Sequence, residues 1–201
     1  MDLVDLFPRT IAVAQLSSLT PEVIKDAIAY MDEAEMVQLG SDGGYTEEQQ
    51  VLDQPVFHAV REEVLGLVKK LSEAYCHEVE NVRICNSWGN VVGYDQSIRY
   101  HRHDNSYISG SFYLTDGSKF NLLNNFHNDM FGIVPRVRPD ANSYRALEAL
   151  DIDPVPGRIV LFPSGMYHCV VPSVSEKKRY SIAFNTVPVG HVGKPTSYLE
   201  L

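Results

Sequence analysis

Two periodicities divide this chain near residue 80. Before it, apolar residues recur every three or four positions. Val23, Ile24, Ala27, Ile28 and Met31 form one stripe, and Val56, Val60, Val64, Leu67, Val68 and Leu71 form a second. That spacing turns one face of an α-helix toward a core. Thr20-Pro21-Glu22 predicts the start of the first helix, with an N-cap, a proline at the first helical position and an acid in the first turn. The second helical region is interrupted near Pro55 and keeps Arg61, Glu62, Glu63, Lys69 and Lys70 mostly outside; His58 and His77, in or near it, read as structural or surface residues. Ahead of both helices, residues 10–14 read as a short strand. The glycine-containing segment 39–46 reads as a loop.

From Val82 onward the period shortens to two. Residues 82–88 alternate and are followed by breaks at Gly89 and Gly93; Asn86, Trp88 and Asn90 share one parity, fit to line a cavity, although Trp88 reads equally well as a core aromatic. Residues 97–103, 107–115 and 157–162 are further strands, and another surrounds Arg179–Phe184. Many short strands with turn signals between them predict a mainly β, α+β fold: a double-stranded β-helix, or cupin-like jelly roll, buttressed by the N-terminal helices. The expected organisation is a single domain over 1–201, with helical support in 1–80 and the β-helix core in 81–190. Residues 117–156, polar and asparagine-rich at first, read as an inserted loop region with a short helix at 143–150, and such loops often carry specificity. The tail from Pro188 should pack along an edge.

Composition narrows the class. Two hundred and one residues suffice for one domain with a sizeable core, and 44% hydrophobic with 21% charged residues is ordinary for a globular chain. A formal charge of −9 disfavours a nucleic-acid partner, because phosphate binding needs a basic surface. Cys76, Cys85 and Cys169 form no Cys-x-x-Cys pair, which points to reduced thiols in the cytoplasm, with Cys169 packed rather than nucleophilic. The N-terminus lacks a basic signal-peptide region, and no apolar run approaches the ~20 residues of a membrane span.

The candidate chemistry lies in two segments. In Tyr100-His101-Arg102-His103-Asp104, a strand would put His101 and His103 on one face, roughly 6–7 Å apart along the chain. Both imidazoles can then reach one divalent ion at about 2.0–2.2 Å. Asp104 would face away unless a bulge brought it in. His168 follows a strand and a Pro163-Ser164-Gly165 turn and is the natural third ligand, leaving open positions on the metal. His127 is a weaker ligand candidate, without the flanking strand pattern. Arg179 and Ser181 repeat the i, i+2 relation beside an apolar face of Tyr180, Ile182 and Phe184, so a guanidinium and a hydroxyl stand together. That pair suits a carboxylate, though an isolated Arg-x-Ser also fits a surface ion pair.

The ordered set His101-x-His103, Ser109-Gly110-Ser111-Phe112-Tyr113, Phe162-Pro163-Ser164 with His168, and Arg179-x-Ser181 through Asn185 resembles the 2-oxoglutarate and Fe(II)-dependent oxygenase superfamily over roughly residues 83–190. Within it, the pattern is similar to a small group that carries His-x-His. The resemblance implies an enzyme in which His101, His103 and His168 hold Fe(II), with His103 where the superfamily usually has a carboxylate. It implies that Arg179, Ser181 and Tyr113 bind 2-oxoglutarate, and that no catalytic side chain is needed beyond the metal centre. Such a dioxygenase uses O2, hydroxylates its substrate and releases succinate and CO2. The competing readings are a cupin-type metal dioxygenase without 2-oxoglutarate and a non-catalytic metal- or ligand-binding module. The expected partner is an unidentified small molecule or protein side chain, with no membrane and with a homodimer left open.

Overall fold

The fold is that of a computed structural model, which describes residues 1–2, 9–39, 42–124, 136, 148–194, 196–197 and 199–201. In chain order the strands and helices are β1 (Ala12–Gln15), α1 (Pro21–Glu33), β2 (Met36–Gln38), β3 (Gly44–Thr46), α2 (His58–Ala74), β4 (Asn81–Val92), β5 (Ile98–His101), β6 (Ile108–Tyr113), β7 (Phe120–Leu123), β8 (Ala149–Ile152), β9 (Arg158–Pro163), β10 (His168–Val170), β11 (Arg179–Val189), β12 (His191–Val192) and β13 (Leu199–Glu200). Two antiparallel sheets face each other, with strand orders β1-β9-β6-β11-β4-β3-β2 and β5-β10-β7-β8. This is the expected jelly roll with helices at its back.

Both helices follow their sequence signals. Thr20 caps α1, its hydroxyl accepting from the Val23 amide at 3.4 Å. α2 buries Val60, Val64, Val68 and Leu71 along one stripe, each such side chain contributing about 1.5–3 kcal/mol when fully withdrawn from water. Both pack on one face of the larger sheet, where Phe112, Ile159, Leu161, Ile182 and Phe184 complete the main core. The strands approach closely there: a Cβ at Gly110 would lie 2.5 Å from Phe184 Cζ. The Tyr180 hydroxyl donates to Asp32 Oδ1 at 2.6 Å and ties α1 to β11. A second, smaller core of Tyr113, Phe120, Leu122, Ile152, Val160 and Phe162 lies between the sheets.

Four local expectations change. The segment 39–46, expected as a loop, ends in β3, which pairs with β2, because Met36, Val37 and Tyr45 carry enough apolar surface for half-buried strands. The 117–156 region, expected as a loop, contributes β7 and β8 to the smaller sheet. Ala149 and Leu150 are therefore strand and Glu148 a bend rather than helix, and residues 143–147, like His127, lie outside the described residues. The ligand strand ends at His101, so His103 lies two residues beyond the ladder. The tail makes its own two-stranded ribbon, β12 with β13, leaving Leu199 exposed.

One buried-edge contact links the N-terminal segment to α2. The Glu63 carboxylate accepts hydrogen bonds from the amides and hydroxyls of both Ser17 and Ser18, at 2.6–2.9 Å. Partial burial pushes its pKa up, but these bonds outweigh that and bring it down to about 2. A depressed carboxyl stabilises the fold above the unfolded-state value near 4.5, and this contribution fades as pH falls from there toward 2. Glu63→Gln should cost about 1–2 kcal/mol at pH 7, lowering Tm by ~2–8 °C in a chain of this size. The deficit should narrow on acidification below pH 4.5; an equal deficit at pH 7 and pH 3 in thermal melts would refute this account.

Candidate metal and cosubstrate site

The inner face of the larger sheet is built by alternation. On β11, Tyr180, Ile182 and Phe184 enter the helix-side core, leaving Arg179, Ser181, Ala183 and Asn185 on the opposite parity. The register sets Ser181 beside Tyr113 and Asn185 beside Ser109 on β6. On the facing sheet, β10 lies between β5 and β7, with His168 opposite both His101 and Leu122. The topology thus brings residues separated by some 65–80 positions in sequence to one place.

His101, His103 and His168 each offer a ring nitrogen, and these atoms lie within 4.8 Å of one another. Ring centroids are 4.3 Å apart for His101–His168, 5.0 Å for His103–His168 and 5.2 Å for His101–His103. His103 Nε2 and His168 Nε2 approach to 3.2 Å. Phe120 and Phe162 flank the His168 ring, and Trp88 stands against His103 at 5.5 Å. Asp104, the alternative to His103, is exposed and pairs with Arg102 at 3.1 Å, outside the three imidazoles.

Hydrogen bonds fix two of the rings. His101 Nδ1 lies 2.8 Å from the Arg99 carbonyl, and His168 Nδ1 lies 2.9 Å from the Met166 carbonyl. A carbonyl can only accept, so in both rings Nδ1 carries the proton and Nε2 presents its lone pair. Burial, reinforced by His101, lowers the pKa of His168 to about 3. For His103 burial and His101 lower it to about 4 against an opposing pull from Asp104. Both rings are neutral at pH 7, the state in which imidazole binds a metal.

Deeper in the cleft, Arg179 is 1% exposed. Its Nη1 donates to Ser181 Oγ at 3.2 Å and its guanidinium lies over the Tyr113 ring, 4.9 Å from the centroid. No carboxylate of the described residues pairs with it. Its Nε, the Tyr113 hydroxyl and Ser118 Oγ are the three buried side-chain polar atoms without a hydrogen-bond partner among the described residues. Burial raises the Tyr113 pKa to about 12, with Arg179 pulling the other way, so the phenol is a neutral donor. Gly117, at φ +138°, leaves room for Arg179, since a Cβ there would sit 3.0 Å from Arg179 Cβ. A buried guanidinium without an anion is costly. Its own Nε and the neighbouring Tyr113 hydroxyl, both left open, fit a carboxylate supplied from outside the chain.

The six residues singled out from sequence therefore fall into two groups, three imidazoles at the smaller sheet and just beyond β5, and an Arg-Ser-Tyr cluster on the larger sheet. Sequence reasoning overlooked Asn185, Ser109 and Ser164 as members of the site. Their hydroxyl and amide groups form a buried chain, Ser164 Oγ to Ser109 Oγ at 2.7 Å and Ser109 Oγ to Asn185 Oδ1 at 2.6 Å, ending 3.5 Å from His103 Nδ1. Parity was the available signal, because Asn185 shares that of Arg179 and Ser181. Metal-free protein should respond to its histidines: with His103 and His168 near 4 and 3 when folded and about 6.5 when unfolded, the unfolded chain takes up protons first as pH falls. Stability should therefore decline from pH 6.5 toward pH 4 in EDTA, and His168→Gln should flatten that slope in urea melts. An unchanged slope in the variant would show that other groups set it.

Comparison with known proteins agrees with this geometry. Residues 86–185 match the family model described as "Putative 2OG-Fe(II) oxygenase". A comparison with curated proteins gives no match. Among solved structures, HygX from Streptomyces hygroscopicus, with nickel and 2-oxoglutarate bound, is 14% identical, with a TM-score of 0.61 over 90% of this chain and 83% of that one. A Pseudomonas putida prolyl-4-hydroxylase is 16% identical, with a TM-score of 0.61 over 90% and 94%. AviO1 from Streptomyces viridochromogenes Tue57 is 15% identical, with a TM-score of 0.62 over 93% of each chain. At these identities the structural likenesses establish the fold, and the family match over the strands that carry both clusters supplies the chemistry. The chain belongs to the 2OG-Fe(II) oxygenase family and is a 2-oxoglutarate-dependent dioxygenase that uses Fe(II) and O2.

Proposed function

We propose that His101, His103 and His168 hold the Fe(II), that Arg179, Ser181 and Tyr113 bind the distal carboxylate of 2-oxoglutarate, and that the enzyme hydroxylates its substrate. The observation that carries this reading is the fully buried Arg179, which lies beside the open Tyr113 hydroxyl and pairs with no acidic side chain among the described residues. Iron bound to the three imidazoles supplies oxygen activation, with 2-oxoglutarate as the co-reductant that leaves as succinate and CO2.

The chain's own residues act by orientation and exclusion. Arg179 offers a rigid fork to the carboxylate, with Ser181 Oγ and the neutral Tyr113 hydroxyl as further donors. Holding the cosubstrate at its far end fixes where its keto-acid end meets the histidines. Phe120 and Phe162 keep the His168 side of the cleft apolar. Trp88 and Asn90, joined by an indole N–H bond of 3.2 Å, form a wall near His103 that substrate would meet. Three neutral ligands leave the metal one negative charge poorer than two histidines and a carboxylate, so a bound 2-oxoglutarate dianion only neutralises the Fe(II) charge.

Composition supports the remainder of the reading. A formal charge of −9 and unpaired cysteines favour a cytoplasmic enzyme acting on a small molecule or a protein side chain rather than on nucleic acid, and a homodimer is compatible with it. No helix among the described residues is long and apolar enough to cross a membrane.

Arg179→Met provides the test, since methionine fills the space without the charge. In Zn(II)-loaded protein, saturating 2-oxoglutarate should raise the Tm of wild type by several degrees, about 2.7 kcal/mol at 100 times Kd. The variant should lose that shift while its ligand-free Tm stays level or rises, because an unpaired buried charge is gone. With Fe(II) and O2, succinate release should fall at least 100-fold in Arg179→Met and vanish in His168→Ala. Undiminished succinate formation by Arg179→Met would sink the assignment of the carboxylate site.

A further inference from the structure

We propose that Asn185 is a positioning residue for His103: its side-chain amide accepts the His103 Nδ1 proton and thereby selects the tautomer whose Nε2 can bind the metal. This rests on the reading of His103 as an iron ligand.

The argument begins with an asymmetry among the three imidazoles. His101 and His168 each give their Nδ1 proton to the main-chain carbonyl two residues earlier, Arg99 and Met166. Their tautomers are set by backbone. His103 has no such carbonyl among the described residues. The group the structure places at its Nδ1 is the Asn185 amide, at 3.5 Å. His103 also lies beyond the end of β5, so the sheet ladder does not hold it. A closed hydrogen-bonded circuit does: the His103 amide donates to the Ser164 carbonyl at 3.0 Å, the Ser164 and Ser109 hydroxyls meet at 2.7 Å, and Ser109 donates to Asn185 Oδ1 at 2.6 Å. Ser109 and Ser164 are each 1% exposed and Asn185 6%, so water does not compete for these partners.

The direction of that circuit decides the tautomer. With Oδ1 taken by Ser109, the amide turns its Nδ2 toward His103. An N–H pointing at Nδ1 requires a lone pair there and puts the imidazole proton on Nε2, the nitrogen 3.2 Å from His168 Nε2. That tautomer has no lone pair for a metal at Nε2. Rotation of the amide by 180° about its Cβ–Cγ bond exchanges oxygen and nitrogen within the same volume. Oδ1 then accepts from Nδ1–H, Nδ2 donates to Ser109 Oγ, and Ser109 donates onward to Ser164. Hydroxyls donate and accept equally well, so the circuit reverses without leaving a buried group unpaired. Metal binding and amide orientation are therefore linked: the ion takes the Nε2 lone pair only when Asn185 presents oxygen, and it locks that orientation. Partners of this kind behind metal-bound histidines typically change metal affinity 10–100-fold.

Co(II) binding to the full-length protein, followed by its visible absorption without 2-oxoglutarate or turnover, reads this directly. Asn185→Leu keeps the volume and removes the acceptor; it should bind Co(II) at least tenfold more weakly with an unchanged far-UV circular dichroism spectrum. Asn185→Asp, which accepts from both His103 and Ser109, should recover affinity to within about threefold of wild type, a rescue that a packing role would not give. Ser109→Ala should weaken binding three- to tenfold and decides the matter if Asn185→Leu fails to fold. Wild-type affinity in Asn185→Leu, or an Asn185→Asp as weak as Asn185→Leu, would overturn the proposal. Tight Co(II) binding by His103→Ala would instead remove His103 from the ligand set, and the proposal with it. In Zn(II)-loaded protein, imidazole 15N resonances should show the His103 proton on Nδ1; a proton on Nε2 contradicts the assignment.

Discussion

Everything in this site depends on β11 having two unlike faces. Tyr180, Ile182 and Phe184 are withdrawn into the core formed with α1 and α2. That burial fixes the strand's rotation, because a slip of one residue would reverse every side chain. Arg179, Ser181 and Asn185 are consequently committed to the cleft, and the pairing with β6 sets Tyr113 and Ser109 beside them. The hydrophobic driving force thus acts on one side of the sheet, and the polar groups on the other side are held by it. An arginine could not be kept without an anion in such a place by its own interactions; the apolar half of the same strand holds it there.

The clusters were legible in the sequence because i and i+2 neighbours on a strand share a face, and that rule recovers Arg179 with Ser181. It worked less directly for the histidines. His101 is the last residue of its strand, and His103 reaches the same place from an irregular segment held by Ser164 and Asn185. The helices were legible from their stripes and from Thr20. β7 and β8 were not, since Phe120–Leu123 and Ala149–Ile152 are only four residues long and flanked by glycine, asparagine or proline. A strand that short shows its alternation only when paired with its neighbours. The circuit through Ser109, Asn185 and Ser164 was invisible for a different reason: its members come from three segments, and only the fold brings them within hydrogen-bonding distance.

Two electrostatic environments meet in the cleft. Around the histidines, burial favours uncharged rings, and the neighbouring carboxylate, Asp104, is drawn outward by Arg102. Around Arg179, a positive charge stands among neutral donors against the cost of its burial. In the arrangement we propose, a dianionic ligand spanning the two would answer both, one end meeting the guanidinium and the other a divalent ion held by neutral nitrogens. Neither end of the cleft carries an acidic side chain of its own among the described residues, and that makes the binding region selective for anions.

The different anchoring of the three imidazoles bears on how such a site can change over generations. The carbonyls of Arg99 and Met166 belong to the main chain, and no substitution at those positions deletes them. The group beside His103 Nδ1 is a side chain, which a single codon change can exchange for an acid, another amide or nothing. Heritable adjustment of this cluster is therefore channelled to one corner, while the other two corners stay constant as long as the chain folds.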